Sequence, residues 1–501
     1  MKRTATGTVI ALLLALGARA QTHQPKSMPV QTNPQSPPDD RGMRIQIHTA
    51  ENTVTDVSKA QEPENPDRKT RSNLPVPDLL EAAKTVPART LDDFEAAALE
   101  NNPTLKQAEA IARLSAGLAR QAGLWPNPLG GYQGEQIRGG SFGGGEQGGF
   151  VQQTIVLGGK LGLRRNVFEQ QKKEDEIGLQ EQELSVRGAI RVQFYSALTQ
   201  LRMVDVQRKS MGLAMDAAMT AHQLANVGQA DAPDVLQAEV EAERAKLEFV
   251  KAQREYIRYY EELAAIVGEP NMALALLKGD LENPPAIDTD RYLDDLLQNS
   301  PTLKRAQQEA FRANAELARN KREAIPDLSL RAGVQQNQEL LESSMRPVGV
   351  QAFATAGVQI PIFNRNQGNV QAAKAEVERE REEVARIRLQ LLQTAQPLLQ
   401  QYLINRLEEE RYRTELIPRA RRAYELYQDK YRNMAAAYPE VIVSQRTLFQ
   451  LENSYARTLG ELWMTAIQLQ SYLLTDGISA PRLSGSTNTQ INLPTGTGSV
   501  E

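Results

Sequence analysis

The sequence predicts a mainly α protein with a small membrane β part, built from a duplicated unit of one β-hairpin plus long antiparallel coiled-coil helices. Three observations carry that prediction. The first is an internal echo: "NNPTLKQAEA" at Asn101–Ala110 returns as "NSPTLKRAQQEA" at Asn299–Ala310. The correspondence continues to Pro233 against Pro439, with an offset that rises from 198 to 206 residues and never jumps. That is one structural unit written twice, at a period far too long for a solenoid repeat. The second is a pair of very long segments rich in Gln, Glu, Lys, Arg, Leu and Ala, which favour helix. The third is strict alternation: Val348, Val350, Ala352, Ala354, Ala356, Val358, Ile360 and Ile362 are apolar, with Gln351, Thr355 and Gln359 among their neighbours. Period two over that length means a strand with one apolar face.

Three regions fall outside the repeat. Residues 1–20 read as a signal peptide, with Lys2 and Arg3, an apolar run from Thr8 to Gly17, and Ala18-Arg19-Ala20 as the cleavage site. Residues 21–90 are polar and hold ten of the 26 prolines, which predicts a disordered Pro-rich linker. Residues 477–501 are rich in Ser, Thr and Gly and are expected to form a disordered tail. The chain contains no cysteine, which excludes disulfides, thiolate metal sites, cysteine nucleophiles and a lipid-modified cysteine. A net charge of −4 without a basic block argues against nucleic acid as a partner. Beyond the signal, no apolar stretch is long enough for a transmembrane helix, whereas β-barrel strands would leave only a weak hydropathy trace.

Within the repeat, the two units are expected over residues 91–285 and 286–476. Each opens with a short helix, Leu91–Glu100 and Arg291–Gln298. Asn102 and Ser300 then serve as N-caps, with Pro103 and Pro301 at the first helical position, for a second helix running to about Leu124 and Ala324. Pro126 and Pro326 lie just beyond. Thirteen of the 33 glycines fall between Gly130 and Gly162, too many for a helix, and hairpins are placed at about residues 129–157 and 328–362. Long helices follow, from Arg164 to about Val227 and from Gln367 to Arg432. Each returns after a tight turn, from Pro233 to Val267 and from Pro439 to Leu474. Gly212 and Pro418 share one level and predict a bend in both halves. Leu179, Val186, Ile190 and Ala197, like Val377, Val384 and Leu391, recur near heptad spacing, as in a coiled coil.

If the apolar strand face meets lipid, every backbone polar group must be satisfied within the sheet, so the sheet must close. Four strands cannot close, since membrane barrels begin at eight. The chain must pool strands with further copies, two giving eight strands and three giving twelve. The lipid-facing set is then Val350, Ala352, Ala354, Ala356, Val358 and Ile360.

At this point the chain resembles the outer-membrane efflux proteins, the TolC-like outer-membrane factors of tripartite pumps. The resemblance spans about Leu91 to Leu474. It rests on the two "PTL" helix starts, "LWPNP" and "AIPDLSL" before the strands, and "VQQTIVLGGKLGLRR" and "VQIPIFNRNQG" after them. "GQADAPDVLQAE" and "YPEVIVSQRTLFQLENSYARTLGELW" at the far turns add to it. "IVLGGKLGLRR" is most like the heavy-metal (cobalt-zinc-cadmium type) branch of resistance-nodulation-division (RND) systems. The resemblance implies a homotrimer, pooled into a 12-stranded β-barrel continued by an α-helical barrel. It implies a passive exit duct in the outer membrane, with the helical part in the periplasm, for divalent metal ions or other toxic compounds. Its implied partners are a periplasmic adaptor (membrane fusion protein), an inner-membrane RND pump and outer-membrane lipid. The chain departs from many relatives in lacking the lipid-anchored cysteine and a glycine in its second far turn, at Asn433-Met434-Ala435. The alternative of another class is a periplasmic coiled-coil adaptor or scaffold without a pore.

No catalytic set is visible, and the sequence predicts neither an enzyme nor a cofactor: the repeat holds one histidine, His222, and "GGK" at Gly158–Lys160 lacks phosphate-loop spacing. That glycine pair reads as a flexible strand-to-helix junction. Met211, Met215, Met219 and His222 share a helix face and are candidates for a soft-metal path, although packing explains a methionine stripe as well. Asp231, Asp234 and Glu440 stand at the far helix turns. Carboxylates suit a helix start in any protein, but in a trimer each becomes a ring that favours cations. Arg432 is a candidate for a closing ion pair, which makes Gly228–Asp234 and Met434–Glu440 the expected periplasmic gate.

Overall fold

A computed structural model describes residues 78–137, 145–228, 231–341, 346–433 and 438–483. Within it the elements run α1 (Leu91–Asn101), α2 (Pro103–Ala122), β1 (Leu129–Glu135), β2 (Glu146–Ile155), α3 (Lys160–Asn226) and α4 (Ala232–Val267). The second unit repeats them as α5 (Tyr292–Asn299), α6 (Pro301–Arg322), β3 (Leu328–Leu341), β4 (Arg346–Val358), α7 (Gln367–Arg411), α8 (Ile417–Arg432) and α9 (Tyr438–Gln470). The α3 helix alone has 67 residues, a rod of about 100 Å.

Local chemistry sets the boundaries. The side chain of Asn102 accepts a hydrogen bond from the Thr104 amide at 2.8 Å, capping α2 ahead of Pro103. Ser300 departs from the expected cap: it is fully buried, its hydroxyl has no hydrogen-bond partner, and α6 starts on Pro301 alone. Both long helices begin from a left-handed residue, Gly159 (φ 70°) before α3 and Asn366 (φ 61°) before α7. Glycine and asparagine tolerate that conformation best.

The expected bend differs between the halves. The α3 helix passes Gly212 unbroken, because an isolated glycine weakens a helix without blocking it. In the second half the turn Tyr412–Leu416 widens into a π-helix immediately before Pro418. Proline lacks an amide proton and its ring crowds the carbonyl four residues back, so one wider turn relieves both. Pro397, by contrast, sits inside α7 without ending it.

Two apolar cores lie at corresponding levels of the two units. One gathers Phe94, Phe194, Tyr256, Tyr260 and Leu263 from α1, α3 and α4. The other gathers Leu296, Leu303, Leu391, Leu399, Tyr402 and Leu462 from α5, α6, α7 and α9. The connection between the units is strapped across them. Tyr256 and Tyr260 donate to the carbonyls of Ala275 and Ala273 at 2.6 and 2.7 Å, and the Trp463 indole donates to Leu281 at 2.8 Å.

Parts of the two regions expected to be disordered are structured. From Asp78 onward the linker is ordered, with Leu80 and Ala83 buried in the first core and the Leu79 amide donating to Gln253. Residues 477–483 of the tail also pack. The Gly477 carbonyl accepts from Asn102, that of Ser479 from Gln182, and that of Arg482 from Arg305. Two buried side chains and a few backbone bonds to helices already in place suffice to hold such segments, and composition does not register them. The remaining residues of both regions lie outside the described set.

Candidate channel site

The four strands form one antiparallel sheet in the order β1-β2-β3-β4, so β1 and β4 each pair on one side only. The register decides which residues share a face. Val151 stands opposite Ala332, which stands opposite Ala354; one residue on, Gln152, Arg331 and Thr355 align. One face therefore carries Val151, Leu330, Ala332, Val334, Val350, Ala352, Ala354, Ala356 and Val358. Their side chains are exposed in the single chain. The opposite face carries Gln133, Glu135, Glu146, Gln335, Asn337 and Gln351, where Glu146 accepts from Gln335 and Asn337 at 2.5 and 2.7 Å.

Five of the six expected lipid-facing residues thus share one apolar, unpartnered face. Ile360 is the correction: β4 ends at Val358 and Ile360 lies beyond it. Pro361 restricts the residue before it and supplies no amide to a ladder.

Where the hairpins become helices, the junction is pinned. The Lys160 ammonium is almost fully buried, 2.6 Å from Asp327 and 3.0 Å from the Ile325 carbonyl, and the Leu157 amide donates to Asp327 at 3.1 Å. Gly158 and Gly159 both have φ near +70°. The glycine pair makes a left-handed corner, and Lys160 just after it reaches the "IPD" of the other repeat.

Below this junction, charges are buried among α2, α3, α6 and α7. Glu174 is flanked by Arg305 at 4.0 Å and Arg312 at 3.5 Å; Arg305 also pairs with Glu181 at 3.3 Å, and Arg312 with Glu309 at 3.3 Å. Ser115 donates to the buried Asp175, and Arg379 pairs with the buried Glu380. Burial pushes the Glu380 carboxyl above the usual glutamate range, as do Glu309 and Glu376, while Arg379 and Arg312 pull it down. The sequence reading missed this cluster. Its residues belong to four helices, and helix periodicity gives no sign that charged residues turn inward.

At the far end, α3 stops at Asn226 and α4 starts after Asp231, whose carbonyl accepts from the Asp234 amide at 3.1 Å. Asp231, Asp234 and Glu440 are exposed. Residues 229, 230 and 434–437, and the side chain of Arg432, lie outside the described set. Above the turns, a groove of about 670 Å³ separates α4 from α9 and includes Asp234, Ile442 and Phe449 in its walls. Arg446 of α9 bridges it to Glu241 of α4 at 2.9 Å, and Arg421 of α8 reaches Glu452 at 2.9 Å. No local motif announces the Arg446–Glu241 link, because its partners sit in different repeats.

The methionine stripe divides. Met211 packs against the first core, whereas Met215 and Met219 are 41% and 59% exposed. His222 pairs with Glu239 at 2.8 Å. Among the described residues no three His, Asp or Glu side chains are grouped to hold a metal, and no helix is long and apolar enough to cross a membrane.

Residues 292–473 match the family described as outer membrane efflux protein. The chain is 26% identical over 323 residues to the cobalt-zinc-cadmium resistance protein CzcC of Cupriavidus metallidurans, covering 64% of this chain and 75% of that one. It is 23% identical over 274 residues to the nickel-cobalt-cadmium resistance protein NccC of Alcaligenes xylosoxydans xylosoxydans, covering 54% and 60%. In fold it resembles a solved structure of CusC, with a TM-score of 0.63 at 16% identity over 79% of this chain and 99% of that one. It resembles the Campylobacter jejuni CmeC outer membrane channel similarly, with a TM-score of 0.62 at 15% identity over 80% and 88%. One sheet with an apolar and a polar face, two long helical hairpins, and a sequence match through the second unit converge: residues 292–473 match the outer membrane efflux protein family, and the chain shares the fold of the solved CusC and CmeC structures.

Proposed function

We propose that three copies of this chain close into a 12-stranded barrel in the outer membrane, continued into the periplasm by their pooled helices, as a passive exit duct of a tripartite efflux system. The observation that carries the reading is the half-made sheet. It has an unpaired edge on β1 and another on β4, an exposed apolar face and a polar one. In lipid such edges must find partners, and only further strands supply them. The energy source and cargo choice then belong to an inner-membrane pump reached through a periplasmic adaptor, and the chain itself is no enzyme. The names of CzcC and NccC favour divalent metal ions such as cobalt, zinc, cadmium or nickel as cargo.

The periplasmic gate in this reading is the set of far turns. Asp231, Asp234 and Glu440 form acidic rings there, and the weak Arg446–Glu241 link holds the two coils together at rest. Fractionation and planar-bilayer recording test the duct. The expected result is a heat-modifiable oligomer extracted from the outer membrane by detergent, which conducts after reconstitution. A soluble protein without conductance would support the pore-free scaffold instead. Loss of the protein should raise sensitivity to those cations.

A further inference from the structure

The polar face of the sheet carries one feature that a passive, evenly hydrated duct does not require. Phe150 and Phe353 both point from this otherwise hydrophilic face, and each stands directly opposite a glycine, Gly131 and Gly333. The glycines are needed there. A Cβ on Gly131 would come within 2.6 Å of the Phe150 ring, and one on Gly333 within 2.6 Å of the Phe353 ring. The same glycine–phenylalanine pair thus occurs once in each hairpin, each ring reaching over the glycine of the neighbouring strand.

Between the two rings sits Arg331. Its guanidinium carbon is 3.8 Å from the centroid of Phe150 and 5.8 Å from that of Phe353. Its direct polar contact is neutral, with one terminal nitrogen donating to the Gln133 side chain, which in turn donates to the Glu135 carboxylate, and its Nε is buried with no hydrogen-bond partner. No carboxylate among the described residues forms an ion pair with it. Glu146, on the same face, pairs in register with Asn337, six residues along β3, and its carboxylate is taken up by the two amides described above. A guanidinium held against aromatic faces keeps its charge and a fixed position.

We infer that Phe150, Arg331 and Phe353 form a belt inside the barrel, six aromatic rings and three guanidinium groups without a direct carboxylate partner in the trimer, which acts as a second selectivity element. This rests on the trimeric duct proposed above. Rings of fixed charge set ion preference in a pore. The belt therefore favours anions and opposes free cations at the level of the outer membrane, in series with the acidic turns at the periplasmic end. Cargo of anionic character, or a cation accompanied by anionic ligands, passes it more readily than a bare divalent ion.

Reversal potentials in a salt gradient across a planar bilayer test the belt. Arg331→Gln should raise the cation-to-anion permeability ratio by about twofold or more at low ionic strength. Arg331→Lys should keep most of the wild-type preference. Thr355→Glu sets a carboxylate opposite Arg331 in the ladder while leaving the rings in place, and should shift the ratio the same way as Arg331→Gln. If Arg331→Gln fails to give the heat-modifiable oligomer, Thr355→Glu decides. Conducting channels with unchanged reversal potential in the variants that assemble would overturn the belt and leave the duct standing. A wild-type protein that forms no channel would overturn both.

Discussion

The two halves of the chain share a plan and differ in chemistry. Both start their second helix on a proline, begin their long helix from a left-handed residue, and lay one phenylalanine over one glycine in the sheet. These positions are fixed by backbone geometry, so the duplication keeps them in kind. Several charged devices, in contrast, are held once. Lys160 pins the first junction to Asp327 of the second unit, while the second junction is held by Asn366, whose amide donates to the Asn320 carbonyl at 2.8 Å. Arg331 has no counterpart in the first hairpin, and the first coil has no break to match the π turn before Pro418. The halves are equivalent as scaffold and differ in these buried charges, while the far turns keep an acid in both, Asp234 and Glu440.

The largest effect is expected where the halves meet. Arg312 of α6 forms an ion pair at 3.5 Å with Glu174 of α3, whose side chain is 2% exposed. Arg312→Ala would leave that carboxylate short of a partner, and breaking a buried pair in this way costs about 3–5 kcal/mol. The variant should lower the unfolding midpoint of the detergent-solubilised oligomer sharply, and an unchanged midpoint would show that Arg305 alone suffices. Glu380 adds a pH dependence. Its carboxyl is raised in the fold, so its contribution is present below the ordinary glutamate pKa and is lost as pH rises through the raised value. The oligomer should therefore be more heat-resistant at mildly acidic than at alkaline pH, and Glu380→Gln should flatten that difference.

The sheet tests whether the halves are equal as wall. Val151 in the first hairpin and Ala354 in the second lie in one cross-strand row on the apolar face. A charge near the bilayer midplane on such a face costs about 2–4 kcal/mol. Val151→Asp and Ala354→Asp should block membrane assembly to the same extent, while Gln351→Asp, on the polar face, should be tolerated. Equal assembly of all three would remove the lipid-facing assignment, and harm from Ala354→Asp alone would mean that only the second hairpin meets lipid.

How much of this could be read beforehand follows the same division. Proline positions, glycine density and a period of two or of about 3.6 are local, and they place the four strands and the long helices. Ile360 lies outside the strand although the alternation continues through it, because the ladder ends with the pair Leu328 and Val358, which periodicity alone does not mark. The buried Glu174 cluster, the Lys160–Asp327 pair and the Arg446–Glu241 link each join residues far apart in the chain, and a charged residue on a helix looks alike whether it faces water or an arginine on another element. The glycines of the first hairpin marked strands correctly, but that one of them, Gly131, like Gly333 of the second hairpin, makes room for a phenylalanine ring emerges only from the register.

A smaller effect is expected at the far turns. Arg446 and Glu241 join the two coils with side chains 49% and 29% exposed, and such a pair is worth about 0–1 kcal/mol. Arg446→Ala should leave assembly intact and raise resting conductance, whereas Asp231→Ala with Asp234→Ala should leave conductance and weaken cation preference. If the first change altered preference and the second altered resting conductance, latch and filter would have to exchange places. Should neither matter, the acids would be ordinary helix-start residues.

The smallest effect concerns the methionine stripe, which only the first half possesses. Leucine and methionine are close in volume, and exchanging them in a core costs under about 1.5 kcal/mol. Met211 packs against the first core and Met215 and Met219 are largely open, so three leucines meet the same neighbours with little strain. The one imidazole nearby is engaged by Glu239, and no group of three His, Asp or Glu side chains among the described residues completes a ligand set. Replacing Met211, Met215 and Met219 by Leu should therefore leave protein level and metal export unchanged. Loss of copper or silver export at a normal protein level would reverse this, because soft thioethers would then be handling a soft ion. The asymmetry between the halves would in that case mark a cargo path along the first coil.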